Sequence, residues 1–237
     1  MSPETTSGHL RVRLRMNRGF DLDVAFDVPP GVTVLFGPSG AGKSTTLAAI
    51  AGLLRPASGH IAIGDEVWFD SEAKIHVAVH LRRVAFVFQS LALFPHMTAL
   101  ENVAYGIPRA LDRSARAGRA RALLERLRVP HLADRKPRTF SGGEAQRVAL
   151  ARALATRPRV ILFDEPFSAL DRELRVELIA DLREWIAELR LPVLFVTHHR
   201  DEARALGDRL VLLDGGRVQG LGHIDELATP LPAKVSR

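Results

Sequence analysis

The sequence predicts an α/β fold: a mostly parallel sheet that presents polar residues at its strand ends, an antiparallel β unit before it and a helical stretch inserted within it. Three observations predict this. Residues 32–36, 84–88, 160–163 and 194–197 are short, nearly continuous apolar runs, as strands buried on both faces are. The glycine-rich run GPSGAGKST at 37–45 stands between the first of these and a segment with Leu47, Ile50 and Leu53 at helical spacing. Nearer the N-terminus, Leu10, Val12, Leu14 and Met16 alternate with Arg11, Arg13 and Arg15, which is the period of a half-buried strand.

Taken in order, that first strand turns at Asn17 to Gly19 into a second alternating run, Phe20, Leu22, Val24 and Phe26, so an antiparallel hairpin is expected. The glycine-rich run follows the next strand directly. Gly37, Gly40, Gly42, Lys43 and Ser44 satisfy GxxxxGK[ST], a loop whose backbone N–H groups turn inward around a β-phosphate. Pro38, Ser39, Ala41 and Thr45 complete the nucleotide-binding stretch. Lys43 adds positive charge at the β/γ oxygens, and the Ser44 hydroxyl is a ligand for Mg²⁺.

The other apolar runs each end in a polar residue. Residues 84–88 end at Gln89, a candidate ligand of Mg²⁺ or of its water. Residues 160–163 deliver Asp164 and Glu165 at the C-terminal end of a buried parallel strand, where ligands sit in open α/β sheets. Asp164 is placed to hold Mg²⁺ through water, and Glu165 to accept a proton from, or orient, the water attacking a γ-phosphate. Residues 194–197 end at His198, which is suited to hydrogen-bond that γ-phosphate. Between these strands, residues from about 90 to 157 read as mostly helical, with Ser141 as an N-cap. A plain cap would not ask for the two glycines that follow, Gly142 and Gly143, so this helix start reads as a second anion site. Residues 210–213 and 217–220, joined by Asp214, Gly215 and Gly216, read as a last hairpin.

Composition narrows the classes. A chain of 237 residues buries one sizeable core, and the motifs span 37 to 203, so one domain with subdomains is expected. No apolar stretch approaches the roughly 18 residues needed to cross a bilayer, and residues 1–8 lack the apolar segment of a signal peptide. There is no cysteine, which excludes disulfides and thiolate metal sites and agrees with a reducing compartment. The net charge of +6 is carried almost wholly by arginine, and Arg109, Arg113, Arg116, Arg119, Arg121, Arg126 and Arg128 crowd one stretch. Leu111, Ala115, Ala122, Leu123 and Leu127 alternate with them, so a solvated amphipathic helix is expected, with anionic lipid or an acidic protein surface as the alternatives.

These motifs, in this order, resemble the ATP-binding cassette (ABC) ATPases over nearly the whole chain: GPSGAGKST at 37–45, Gln89 in VFQSLALFPHMTALENVAYG, FSGGEAQRVALARAL at 140–154, VILFDEP at 160–166, SALD at 168–171 and VTHHRDEA at 196–203. The resemblance implies a P-loop NTPase (RecA-like) core with an N-terminal antiparallel β subdomain and an inserted α-helical subdomain. It implies two copies packed head to tail, with ATP between the phosphate loop of one and Ser141, Gly142, Gly143 and Glu144 of the other. Asp171 would link the two sites. Three departures stand out: Glu144 replaces the usual glutamine, His199 replaces the aspartate that commonly follows the switch histidine, and the adenine-stacking tyrosine is missing. Phe20 is the nearest aromatic, and both a platform and a core role are open to it.

A free-standing cassette resembles the ATPase subunit of an importer. That implies a peripheral protein on the cytoplasmic face of the inner membrane, under an integral-membrane permease and served indirectly by an extracytoplasmic binding protein. The groove beside Gln89 would receive a permease helix, with Leu93, Phe94 and Pro95 as contact candidates or, alternatively, local core. The loop and signature look most like molybdate importers and their sulfate-type relatives, which makes molybdate or a related oxyanion the expected cargo; sulfate, polyamine, sugar or ferric ion stay open. No C-terminal regulatory domain is expected. A soluble cassette acting on nucleic acid or the ribosome fits less well, because the motifs are single and compactly spaced, and no nucleic-acid partner is expected. A phosphate-loop kinase or GTPase would leave SGGE without purpose and lacks an NKxD guanine reader.

Overall fold

The computed structural model describes residues 8–225 apart from Arg18 and Ala169. The segment 1–7, read above for a leader, the turn residue Arg18 and the stretch beyond 225, on which the expectation of no regulatory domain bears, lie outside the described residues.

The alternating N-terminal runs form β1 (Leu10–Asn17) and β2 (Asp21–Val28), paired antiparallel with Leu10 opposite Val28 and Asn17 opposite Asp21. Every second residue of β1 is buried and its intervening arginines are exposed, as the period-2 pattern requires. The other face of β1 pairs antiparallel with β4 (Ser58–Ile63), which continues through β5 (Glu66–Asp70) to the short β6 (Ile75–His76).

The continuous apolar runs become β3 (Gly31–Phe36), β7 (Val84–Val87), β8 (Val160–Asp164) and β9 (Pro192–Thr197), all parallel in the spatial order β3, β9, β8, β7. β10 (Arg209–Asp214) adds to β3 in parallel and turns back antiparallel into β11 (Arg217–His223), which touches β2 and closes one continuous sheet. Their lack of alternation has a direct cause: both faces are covered. Val32, Val34, Ile161, Phe163, Val193 and Phe195 enter one apolar cluster, while Leu35, Val160, Leu162, Leu194 and Val196 enter the cluster on the opposite face. The second cluster holds α1 (Lys43–Ala51) through Leu47, Ala49 and Ile50. The first holds α5 (Arg172–Leu189), α6 (Arg200–Leu206) and the three helices inserted between β7 and β8: α2 (Ala99–Tyr105), α3 (Arg113–Arg126) and α4 (Gly142–Ala155).

In α3 the apolar face differs from the expected one. Ala120, Leu124 and the C-cap Leu127 are buried, whereas Leu111, Ala115 and Ala122 are exposed. Asp112 caps the helix by accepting from Ala115 N, so Leu111 lies before the helix, while Leu123, as expected, packs on the core. The arginines are only partly a solvated face: Arg116 donates to the Ala104 carbonyl, Arg126 pairs with Glu188 and Arg128 with Asp181.

Arg82, unremarked in the sequence, is wholly buried at the far end of α1. Its guanidinium donates to the carbonyls of Ala49 at 3.1 Å, Ile50 at 2.8 Å and Val77 at 3.0 Å. It satisfies carbonyls that the end of α1 leaves without intrahelical partners. A helix that opens on the phosphate loop is thereby anchored at its opposite end.

Candidate functional site

β3, β8 and β9 are adjacent and parallel, so their C-terminal ends lie together along one edge of the sheet. At that edge the chain of β3 enters the loop 37–42 and then α1. The N-cap of α1 is Gly42 at φ 101°, a left-handed conformation that a side chain would strain; a Cβ there would also stand 2.7 Å from Leu22 Cδ1. Pro38, Ser39 and Gly40 are exposed and Ala41, Gly42 and Lys43 buried, so the loop rests on the sheet with its rim open. Thr45 is half-buried. The Lys43 ammonium donates to the carbonyls of Gly37 and Pro38, each at 2.9 Å, which leaves a third N–H for a phosphate oxygen. Burial lowers its pKa, and the nearby Glu165 and Asp164 carboxylates oppose that shift.

Ser44 Oγ donates to Asp164 Oδ1 at 2.9 Å, so residues 120 apart in sequence meet across the loop and the end of β8. The carboxyl of Asp164 is pushed up by burial and by the Glu165 charge, against the opposing effects of the Ser44 hydroxyl and Lys43. A hard cation would relieve this, and a hydroxyl beside a carboxylate is the kind of oxygen donor set Mg²⁺ takes together with substrate phosphates. Among the described residues no group of three or more His, Asp or Glu gathers to hold a metal unaided. The residues therefore fit an ion shared with a nucleotide.

Glu165 follows directly, with φ 46°, a left-handed backbone that is uncommon outside glycine and costs on the order of 1 kcal/mol. Its N–H donates to the Val196 carbonyl of β9, and its carboxylate Oε1 lies 3.0 Å from His198 Nδ1. The structure thus brings the predicted acid–base residue and the predicted switch histidine into contact. His198 also lies against His199, ring centroids 4.1 Å apart and planes tilted by 37°, so the residue at the departure from aspartate packs on the predicted switch histidine. Gln89 is exposed two positions past β7, at the same sheet edge, and makes no hydrogen bond to Ser44 or Asp164.

Ser141 is the N-cap of α4, and with Glu144 it forms a reciprocal capping box: Ser141 Oγ accepts from Glu144 N at 3.3 Å, and Glu144 Oε2 accepts from Ser141 N at 2.7 Å. His131 Nε2 meets the other Glu144 oxygen at 2.9 Å. Hydrogen bonding to Ser141 N, and next to His131, holds the Glu144 carboxyl below its ordinary pKa. The carboxylate is therefore turned back on its own helix start. The glycines have a packing reason as well. A Cβ on Gly143 would stand 2.8 Å from Leu174 Cδ1, and one on Gly142 3.0 Å from Leu170 Cδ2, so close packing on α5 and the loop before it favours small residues here alongside the anion-site reading. Among the described residues, no hydrogen bond joins this segment to the phosphate loop of the same chain. Asp171 is the N-cap of α5, accepting from Leu174 N at 2.9 Å.

Phe20 is resolved in favour of the surface. It is 37% exposed, while Leu22, Val24 and Phe26 are 2% or less, and its ring lies against the phosphate loop, 3.1 Å from where a Gly42 Cβ would be. The segment after Gln89 is pinned by two side chains. Asn102 bonds the backbone of Phe94 through both N–H and carbonyl, and Arg152 donates to the carbonyls of Leu91 and Ala92. Leu93 packs on the core, Phe94 is half-buried against Tyr105 at 4.8 Å, and Pro95 is exposed. Beside them runs an open groove of about 720 Å³ floored by Leu100 and Ala104, with Tyr105, Arg113 and Arg121 on its rim. None of the helices, among the described residues, is long and apolar enough to cross a membrane.

A sequence model of the family described as ABC transporter matches residues 22–168. The molybdenum import ATP-binding protein ModC of Pseudomonas aeruginosa is 45% identical over 221 residues, which are 91% of this chain and 60% of that protein. ModC 1 of Azotobacter vinelandii, also a molybdenum import ATP-binding protein, is 43% identical, over 94% of this chain and 62% of its own length. The chain thus spans about three-fifths of the curated relatives it matches. Among solved structures, the dimeric bacterial ABC transporter cassette MJ0796 superposes with a TM-score of 0.75 at 30% identity, over 91% of this chain and 98% of that one. A post-hydrolysis dimer of the same cassette bound to ADP and Pi gives 0.74 at 31% identity.

Proposed function

The chain belongs to the ABC transporter family, and from that premise we propose that it is the ATP-hydrolysing, energy-coupling subunit of an importer for molybdate or a related oxyanion. The observation that carries the hydrolysis reading is the pairing of contacts at one sheet edge: Ser44 with Asp164, and Glu165 with His198. The cargo reading rests on the ModC relatives. In this reading residues 1–237 make one nucleotide-binding domain with a helical subdomain at about 90–157.

The backbone of residues 37–45 cradles the β-phosphate, Lys43 supplies its remaining N–H to a phosphate oxygen, and the Phe20 ring is the platform for adenine. Ser44 and Asp164 would hold Mg²⁺, with Gln89, just past β7, as a further candidate ligand; bound there, the ion would supply positive charge to the phosphate oxygens. Glu165 accepts the proton of the attacking water, and His198 keeps the carboxylate aimed. Two copies work head to tail, with Ser141, Gly142 and Gly143 of one facing the γ-phosphate held by the other, and Asp171 at the junction; the dimeric form of the MJ0796 cassette supports this arrangement. Glu144 is drawn into its capping box, which keeps its charge off the phosphate. The pair sits at the cytoplasmic face of the inner membrane, and the groove beside Phe94 and Tyr105 receives a permease helix.

Phe20→Ala is expected to raise the Kd for ATP about fivefold, the loss of one aromatic stacking contact, with turnover at saturating ATP unchanged. Titration of a fluorescent ATP analogue checks it, and an unaltered Kd would move the adenine elsewhere. The broader reading is tested by purifying the tagged chain from membranes of its native cell in mild detergent. A polytopic permease should co-purify, and its binding protein loaded with molybdate should stimulate ATP hydrolysis by the reconstituted complex. Recovery of ribosomal or nucleic-acid-bound partners alone would overturn the transport reading; stimulation by sulfate and not molybdate would overturn the cargo.

A further inference from the structure

The switch histidine stands at the end of a line of buried polar contacts that the hydrolysis chemistry does not itself use. Thr197, the last residue of β9 and 1% exposed, donates its hydroxyl to Glu202 Oε2 at 2.6 Å and accepts from the backbone N–H of His199 at 3.0 Å. That second bond fixes the chain immediately after His198. Glu202, on α6 and 2% exposed, turns its other oxygen, Oε1, toward Arg175 Nη1 of α5 at 3.5 Å, and this oxygen accepts no hydrogen bond. Arg175 in turn donates through Nη2 to the Leu170 carbonyl at 2.9 Å, immediately before Asp171. The line therefore runs from the Leu170 carbonyl beside Asp171 through Arg175, Glu202 and Thr197 to the backbone beside His198, and it joins three separate elements: α5, α6 and β9.

A carboxylate this deeply buried is costly, and a well-packed apolar residue of similar volume would hold α6 on the core at least as well. What an apolar residue would not supply is the directional hydrogen bond from Thr197 beside His198 together with a charge facing Arg175. Resting on the hydrolysis reading above, we propose that Glu202 is a positioning residue for that reaction. With Arg175 it couples Leu170 and Asp171, placed toward the second copy in that reading, to the orientation of His198 and hence of the Glu165 carboxylate.

Glu202→Gln tests this, because the amide keeps an acceptor for the Thr197 hydroxyl while removing the charge opposite Arg175. We expect kcat to fall roughly tenfold at unchanged KM for ATP, since sub-ångström misplacement of a reacting group costs rate and not ground-state binding. Arg175→Met should fall comparably, and the double variant no further than the worse single one, as members of one contact line do. Glu202→Asp, which retains the charge, should recover part of the loss. A readout independent of turnover is the His198 imidazole signal in NMR spectra of the full chain without added nucleotide, assigned by its disappearance in His198→Gln; it should shift in Glu202→Gln. A merely structural role gives a lowered Tm with unmoved His198 signals and unchanged kcat per folded molecule, and that result would overturn the proposal. Failure of the wild-type chain to hydrolyse ATP would instead sink the hydrolysis reading, and the imidazole signals would then decide this one alone: unmoved, they overturn it.

Discussion

Glu165→Gln is expected to keep ATP binding within about twofold of wild type and to reduce hydrolysis by roughly 10²–10³-fold, the usual weight of a general base. The substitution is nearly isosteric. The amide oxygen can still accept from His198 Nδ1, where the carboxylate does so at 3.0 Å, so the geometry at the end of β8 should survive. What is lost is the capacity to take a proton from water as it attacks. At 1.36 kcal/mol per tenfold, this corresponds to about 3–4 kcal/mol of transition-state stabilisation. If two copies close around ATP, the variant should accumulate as a closed dimer, visible by size-exclusion chromatography with ATP and absent with ADP. Single-turnover hydrolysis read beside equilibrium binding separates the two effects, and undiminished hydrolysis would remove Glu165 from the role of base.

Lys43→Ala is expected to act on binding itself, raising the Kd for ATP by roughly 10- to 100-fold, the worth of one charge-assisted hydrogen bond to phosphate. The side chain is buried and already bonded to the carbonyls of Gly37 and Pro38, so its removal also leaves those two acceptors without their partner. A modest fall in Tm, about 2–4 °C, should accompany the lost affinity, the change expected of roughly 1 kcal/mol in a domain of this size. ADP affinity should fall too, because in the proposed reading the ammonium serves the β-phosphate as well as the γ. Isothermal titration with both nucleotides checks this. Affinity for ATP and ADP equal to wild type would show that Lys43 does not bind phosphate here, a result opposite in kind to that expected of Glu165→Gln.

These two residues differ in how far the sequence alone could take them. Lys43 is defined within nine consecutive residues, GPSGAGKST, whose glycines, lysine and serine act on one another through the local backbone. The parallel strands were equally legible, since residues buried on both faces of a sheet must be apolar without interruption. The β1–β2 hairpin followed from its alternation, and the cap of α4 from Ser141 ahead of a long run of helix formers. In each case neighbours in sequence are the partners that matter, so the pattern carries the physics.

Where partners are distant in sequence the pattern fell silent or misled. The stripe of α3 held at Leu123 and Leu127 and failed at Leu111, Ala115 and Ala122, because the covering surface, not the helix, selects which residues are buried, and Ala120 and Leu124 meet the core instead. Phe20 shares the alternation of β2 yet lies outside the strand, against a loop more than twenty residues away. Gly143 read as an anion-site glycine, and its near contact with Leu174 of α5 gives it a steric reason that no local sequence discloses. Arg82 lay outside every motif and Glu202 stood within VTHHRDEA without a role of its own, because a buried charge is defined by what surrounds it: carbonyls of α1 and Val77 for one, Thr197 and Arg175 for the other. The sequence by itself determined the strands and the phosphate loop, since periodicity and short-range backbone chemistry decide those, and it named the candidates for the chemistry at the strand ends. The tertiary structure alone decided which of those groups touch, because the Ser44–Asp164 and Glu165–His198 contacts close over 120 and 33 residues of chain, and only the parallel register of the sheet brings such ends together.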